Sequence, residues 1–452
     1  MQISRNKTIV AVATPQGTGG VGIVRISGEK ALEIAKKIFS PQPKIFEPNK
    51  MFFGKISATD FVDDGYMVYF QAPRSFTGED VVEFQAHGGS LVLQKIVEKI
   101  VDLGAVPAQA GEFSMRAFLN NKMTLDQAEA MIELINAEST AHLRAVSKLM
   151  EGAFAKKVTG LQSELTGILA QIDVSFDYPE HDSETQISQN ISTQLQKICE
   201  ELNNLIATYN QGHMLKNGVS VCILGMPNVG KSSLLNALVG CESAIVTDIP
   251  GTTTDVVVDS YTYKGVRFNI MDTAGIREGG NEIEKIGIER AKKTAIDADI
   301  VLTVFDNSRK LNKNELEILE NIDAKRIILV LNKIDKKLSN EQFDNLKKVH
   351  TFIEISASKS QNIDKLKELI YQACSIDSSV SKEIVIANER HYFLLENAKK
   401  SLEIALENIN NYTLDCISFD ISQCWNNLGL IVGNVNVEDI IDSIFSKFCL
   451  GK

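Results

Sequence analysis

Residues 225–233 read Gly-Met-Pro-Asn-Val-Gly-Lys-Ser-Ser, directly after the apolar run Val219–Leu224 and ahead of a helical pattern. Strand, glycine-rich loop and helix in that order make a phosphate cradle. The glycines let backbone N–H groups turn inward on phosphate oxygens, Lys231 brings a positive charge to the β- and γ-phosphates, and the Ser232 hydroxyl can ligate Mg²⁺. The helix N-terminus adds its own partial positive charge. Asn228, Val229, Gly230 and Ser233 complete the loop as nucleotide contacts. Asn228 is either a neutral spacer or, through its carbonyl, a ligand for a monovalent cation.

Three further clusters say which nucleotide. The run Phe268–Met271 leads into Asp272-Thr-Ala-Gly275, where the acid can hold Mg²⁺ through water and the Gly275 N–H can meet the γ-phosphate. The run Arg326–Leu331 ends in Asn332-Lys333-Ile334-Asp335. A carboxylate at Asp335 accepts both N1–H and the 2-amino group of guanine, a donor pair adenine lacks. A site built to bond such groups rejects an analogue without them by ~10⁴–10⁵. Ile353–Ile355 ends in Ser356-Ala357, placed for a backbone contact to guanine O6. Order and spacing resemble those of a Ras-like GTPase domain.

Between the loop and Asp272, Thr247-Asp-Ile-Pro-Gly-Thr252-Thr253-Thr254-Asp255 fits the first switch, with Thr253 the candidate to complete the Mg²⁺ shell in the GTP state. Ile276 stands where many signalling GTPases carry the glutamine that orients water. Another group must do so, and Glu278, Glu282, Glu284 and Glu289 are the acids within reach along the chain.

The elements that must position these groups fall into three textures. Residues 1 to about 120 carry short strand-like runs, Thr8–Ala13, Val21–Ile26, Met67–Phe70 and Val81–Ala86, with a helical stretch Leu91–Leu103. From Thr124, a plausible N-cap, the pattern turns helical, is broken by the polar stretch Tyr178–Ser192 with Pro179, and resumes to about Tyr209. Residues 217–378 alternate strand and helix, and 382–452 return to helix. Helical texture on both flanks implies an α/β domain inserted into one helical domain. At 452 residues, 44% hydrophobic and 23% charged, the chain is globular and multidomain. No apolar run nears the ~18 residues that span a bilayer, and no signal peptide is expected. Seven scattered cysteines without a Cys-x-x-Cys pair and six histidines argue against a disulfide framework or structural zinc and fit a reducing cytosol. The net charge of −11 gives no broad nucleic-acid surface, leaving a local one or one supplied by a partner.

TPQGTGGVGIVRISG (14–28), SFTGEDVVEFQAHGG (75–89), GEFSMRAFLNNKMTLDQAEA (111–130), DTAGIREGGNEIEKIGIERA (272–291) and the terminal FCLGK together resemble the MnmE (TrmE) family. The resemblance implies an N-terminal α+β folate-binding and dimerisation domain (1–121), a discontinuous helical domain (122–214 and 380–452) and an inserted Ras-like G domain (215–379). It implies a GTP-hydrolysing homodimer in the cytoplasm, with no membrane attachment, that works with an MnmG-type flavoprotein as a heterotetramer. Together they add an aminomethyl-type group to C5 of the wobble uridine of certain tRNAs. A 5-formyl- or 5,10-methylene-tetrahydrofolate supplies the one-carbon unit, and the partner supplies FAD and NADH chemistry. Carried over by motif, folate contacts fall on Arg25, Glu83, Lys122 and Lys452. Potassium ligands fall on Asn228, Thr247, Ile249 and Thr252, magnesium ligands on Ser232 and Thr253, and the water-orienting acid on Glu284. A switch GTPase of ribosome or membrane assembly, without folate chemistry, is the competing expectation. Cys449 does not sit in a prenylation signal, which leaves a packed side chain or a redox or nucleophilic role. His87 is read as an acid/base residue or a turn histidine satisfied by backbone.

Overall fold

The computed structural model describes residues 7–177, 184–240, 257–272, 294–311, 315, 326–336, 351–374, 384–434, 438–448 and 451. The chain divides into two compact units: Met1–Asn136 with Ser147–Cys199 and Leu394–Lys452, and Ala137–Val146 with Glu200–Phe393.

The first unit is built on a seven-stranded sheet. Its strands are β1 (Ile9–Val12), β2 (Gly19–Ser27), β3 (Phe39–Ser40), β4 (Met51–Ser57), β5 (Val62–Phe70), β6 (Val81–Gly88) and β7 (Val106–Pro107), in the order β3-β4-β5-β6-β2-β1-β7. All pairs are antiparallel except β1 with β7. Alternation along the strands sends Val24, Ile26, Met67, Val82 and Phe84 to one face, where α1 (Ala31–Ile38) and α2 (Ser90–Asp102) cover them with Ile34, Ile38, Ile96 and Ile100. The cross-strand row Phe53, Tyr66, Gln85, Ile23 takes the other face. Phe53 is 64% exposed there and packs on the Tyr66 ring at 5.3 Å.

Helices α3 (Glu112–Leu119), α4 (Leu125–Ile135) and α6 (Ala153–Asp177) join this unit, α5 (Thr140–Met150) lying between α4 and α6 in the chain. Thr124 does open α4: its backbone N–H donates to Gln127 Oε1 at 3.0 Å, closing a capping box. Along α6, Leu161, Leu165, Ile168 and Ile172 are buried, as are Ile417, Ile421, Cys424 and Leu428 on the helix Leu414–Val432. The two helices pack together, and Gln162 Nε2 donates to the Trp425 carbonyl 263 residues away. The helix Glu438–Phe445 docks through Phe445 and Phe448 on Met115, Leu125 and Ala128. Gly111, at φ +71°, opens α3 there; a Cβ would stand 2.2 Å from the Phe445 carbonyl. One expectation is corrected: α7 (Glu184–Ala207) begins inside the polar stretch read as a break. Ile191, Leu195, Ile198 and Leu202 repeat at helical spacing, and polar residues between them occupy an exposed face.

The second unit holds a six-stranded sheet. Its strands are β8 (Val219–Leu224), β9 (Val257–Tyr263), β10 (Val266–Asp272), β11 (Ile300–Asp306), β12 (Ile327–Asn332) and β13 (Thr351–Glu354), ordered β13-β12-β11-β8-β10-β9. Only β9 runs antiparallel. Every residue of β11 is buried, as a central parallel strand requires. After α8 (Tyr209–Asn217), the chain enters β8 and then α9 (Lys231–Val239). Residues 137–146 group with this unit; the Ala141 N–H donates to the Gly265 carbonyl at the β9–β10 turn. The whole is a multidomain α+β and α/β chain with helical segments and a Ras-like phosphate-loop domain, as the sequence implied.

Candidate functional site

The carboxyl ends of β8, β11 and β12 meet on one edge of the second sheet, where open α/β sheets bind ligands. The phosphate loop leaves β8 with Gly225 at φ +153°, Asn228 at φ +64° and Gly230 at φ +99°. Gly230 is required twice over. Its φ is left-handed, and an added Cβ would lie 2.3 Å from Asn332 Nδ2. Val229 is fully buried beneath the loop, whereas Asn228, Ser232 and Ser233 are exposed. Ser232 and Ser233 sit in the first turn of α9, and Lys231 Nζ curls over the loop to the carbonyls of Gly225 and Met226 at 2.9 and 3.0 Å.

Asn332 ties the site together. It is 2% exposed, donates through Nδ2 to the Val229 carbonyl at 2.9 Å, and accepts at Oδ1 from the N–H groups of Lys333 and Ala357 at 2.8 and 3.0 Å. One amide side chain thus fixes the phosphate loop, the β12 loop and the β13 loop. The buried Ser356 hydroxyl donates to Asp335 Oδ1 at 2.7 Å. That hydrogen bond, with lesser help from Lys359 and Lys336, holds the Asp335 carboxyl below its ordinary value. Asp335 is therefore ionised and oriented as an acceptor at neutral pH.

Asp306, at the end of β11, escaped the sequence reading. Its Oδ2 accepts from Lys333 Nζ at 2.6 Å and its Oδ1 from the Ser308 N–H and hydroxyl at 2.9 and 2.5 Å. Burial pushes its pKa up, but the hydrogen bonds from Lys333 and Ser308 outweigh that and bring it below the usual carboxylate value. The available signal was an acid ending a wholly apolar strand beside the strand that ends in Asn332.

The structure thus brings together Asn228, Val229, Gly230, Lys231, Ser232, Ser233, Asn332, Lys333, Asp335, Ser356 and Ala357. Asp272 ends β10, paired with Ile223 of β8. Thr247, Ile249, Thr252, Thr253, Gly275 and Glu284 lie outside the described residues, as do Cys449 and Lys452.

In the first unit, Arg25 on β2 and Glu83 on β6 are cross-strand partners, and Arg25 Nε donates to Glu83 Oε1 at 2.7 Å. The guanidinium also lies 5.5 Å from the Phe76 ring and 5.6 Å from that of Phe113. Lys122 Nζ donates to the Pro73 carbonyl, on the segment that carries Phe76. Gly451 packs on Val12 of β1, next to the strand bearing Arg25: its φ is +93°, and a Cβ would meet the Val12 carbonyl at 2.0 Å. Beneath, Arg116 is 3% exposed and bonded to Glu79 and Glu112 at 3.0 and 2.8 Å. His87 is not held by backbone alone. Its ring Nδ1 meets Asp63 Oδ1 at 2.6 Å and its own N–H donates to Asp63 Oδ2.

The family description "GTP-binding protein TrmE N-terminus" matches residues 8–122, and "MnmE helical domain" matches residues 125–449. The chain is 40% identical over 459 residues to "tRNA modification GTPase MnmE" of Clostridioides difficile, covering 98% of this chain and 99% of that one. It is likewise 40% identical over 458 residues to the protein of that name from Acetivibrio thermocellus, covering 99% and 100%. Among solved structures it is similar to the G domain of the T. maritima FeoB iron transporter, at 30% identity over 34% of this chain and 98% of that one, with a TM-score of 0.27. With both family regions matched and relatives alike over nearly their full length, the chain belongs to the MnmE (TrmE) family of tRNA modification GTPases.

Proposed function

We propose that this GTPase, with an MnmG-type flavoprotein, installs the aminomethyl-type group (carboxymethylaminomethyl in the finished nucleoside) on C5 of the tRNA wobble uridine. One observation carries this reading: a chain similar throughout to tRNA modification GTPases has, besides its nucleotide site, the Arg25–Glu83 pair set between two aromatic rings. A carboxylate beside flat apolar rings suits a heterocycle with N–H donors, such as a pterin. Arg25, Glu83 and Lys122, with Lys452 on the tail, would hold the folate. Bound folate supplies the one-carbon unit, and the partner's FAD and NADH supply the redox chemistry.

In the nucleotide site, Asp335 selects guanine by accepting from N1–H and the 2-amino group, and the N–H of Ala357 or Ser356 faces O6. Lys231 and the loop N–H groups hold the phosphates. The exposed hydroxyl of Ser232 at a helix start is a hard oxygen donor suited to Mg²⁺, with Thr253 and Asp272 completing that side. Asn228, Thr247, Ile249 and Thr252 offer oxygen donors for K⁺, which when bound supplies positive charge where it develops between β- and γ-phosphate. Glu284 orients the attacking water. We place the domain limits at 1–121, 122–214, 215–379 and 380–452, and the protein in the cytoplasm; no described helix is long and apolar enough to cross a membrane.

The test is mass spectrometry of wobble nucleosides from cells lacking the protein. Loss of the C5-modified uridine with return on complementation is expected. An unchanged nucleoside profile would favour a switch GTPase without its own modification chemistry.

A further inference from the structure

We infer that Asp306 is a positioning residue for nucleotide binding, acting through Lys333 to lock the guanine loop onto the phosphate loop. The inference rests on the nucleotide reading of this site.

Lys333 Nζ is held between two oxygens, Asp306 Oδ2 at 2.6 Å and the Asn228 carbonyl at 2.7 Å. Asn228 and Lys333 both have left-handed backbone, φ +64° and +67°, a conformation that costs non-glycine residues free energy and persists where surrounding contacts fix it. The lysine bond joins these two residues across 105 positions of sequence. It therefore fixes the carbonyl orientation at the exposed crest of the phosphate loop.

Three features make Asp306 the anchor of that bond. Its side chain is 9% exposed while that of Lys333 is 25% exposed, so the acid is the rooted partner. Its second oxygen is held by the Ser308 N–H and hydroxyl, which prevents rotation away from the lysine. Its strand is locked in register with β12, Asp306 opposite Asn332, and the Asn307 N–H donates to the Asn332 carbonyl at 2.8 Å. An ionised acceptor makes the stronger, shorter bond that a flexible ammonium needs to stay in place. Asparagine at this position keeps shape and loses charge. The Lys333 stem is then free to swing, the Asn228 peptide to relax, and the nucleotide must reorder both loops as it binds.

The experiment compares the full-length wild type with Asp306→Asn, Asp306→Glu, Lys333→Met and the Asp306→Asn/Lys333→Met double variant. Fluorescent GDP and GTP affinities, dissociation rates and single-turnover hydrolysis are measured. Asp306→Asn should weaken both nucleotides by about 10-fold, through faster dissociation, with hydrolysis at saturation changed by less than about threefold. Asp306→Glu should recover part of the loss, because it restores charge. The double variant should bind no worse than Lys333→Met alone, as expected of residues acting through one contact. Wild-type affinity in Asp306→Asn, or additive losses in the double variant, would overturn the lock and leave the nucleotide site standing. Failure of the wild type itself to bind guanine nucleotides would remove that site and the lock with it. Should Asp306→Asn not fold, Ser308→Ala, which frees only Oδ1, is expected to speed nucleotide release, and an unchanged rate would refute the inference.

Discussion

Asp335 works as a guanine selector only while it is an acceptor. Asparagine there presents a donor to N1–H, so Asp335→Asn should lose GTP affinity by a factor approaching ~10⁴ while the fold is kept, a loss that competition binding against labelled GDP would read. Asp306 makes a different statement, about pH. Its folded pKa is lowered, so the stability it contributes is complete above the ordinary carboxylate value of about 4 and is lost as pH falls through the lowered one. Urea midpoints of wild type and Asp306→Asn should therefore separate at neutral pH and converge in acid; a gap independent of pH would contradict this. At Glu284 the expectation is kinetic: Glu284→Ala should bind GTP normally and hydrolyse it ~10²–10⁴ times more slowly. Turnover should also be faster in K⁺ than in Na⁺ at equal ionic strength. Equal rates in the two salts would remove the potassium part of the proposal alone. These residues differed in legibility. Asp335 and Lys231 are announced by fixed spacing, because the phosphate and the base each dictate a short local motif. Asp306 is not, because its partner lies 27 residues on and the two meet only once β11 and β12 are paired.

Strands and helices could be read in the sequence where one face is apolar at a clean period. β8 and β12 are apolar runs bounded by loops, and α2 repeats Leu93, Ile96 and Ile100. β4 was not foreseen: MFFGKIS places two phenylalanines side by side, one toward the helices and one outward, and a glycine where the strand meets Phe39. The short β3 and β7 carry too few residues to show any period. The outward row on β4 and β5 has a consequence. Exposed Phe53 and Tyr66 form an apolar patch on the open face of the sheet, which supports that face as the proposed homodimer contact. Phe53→Glu, a change at an already exposed position, should leave the monomer folded and shift sedimentation toward monomer. An unaltered dimer would send the search to another face.

At the scale of the whole molecule, the nucleotide site is assembled from residues 225–357, close neighbours in sequence, whereas the Arg25 pocket borrows from the far end of the described chain. Removing residues from Phe448 onward should lower 5-formyltetrahydrofolate affinity in calorimetry, since Gly451 packs on Val12 and carries Lys452 with it. Equal affinity in the two forms would exclude the tail from the pocket. The domain textures were readable because period and composition change at each boundary. The grouping of residues 137–146 with the second unit was not, since it rests on one main-chain bond to the β9–β10 turn.

The docking of the 438–448 segment and of Gly451 also sets an order of events during synthesis. Phe445 and Phe448 complete a cluster begun by Met115 and Leu125, so that part of the first unit stays open until more than three hundred further residues have been made. At roughly 5–20 residues per second this is an interval of many seconds. The nucleotide-binding sheet closes from residues within 219–354 and can form during that wait. Ribosome-bound chains halted just after residue 400 should therefore resist protease across 219–374 while remaining cleavable between α3 and α4.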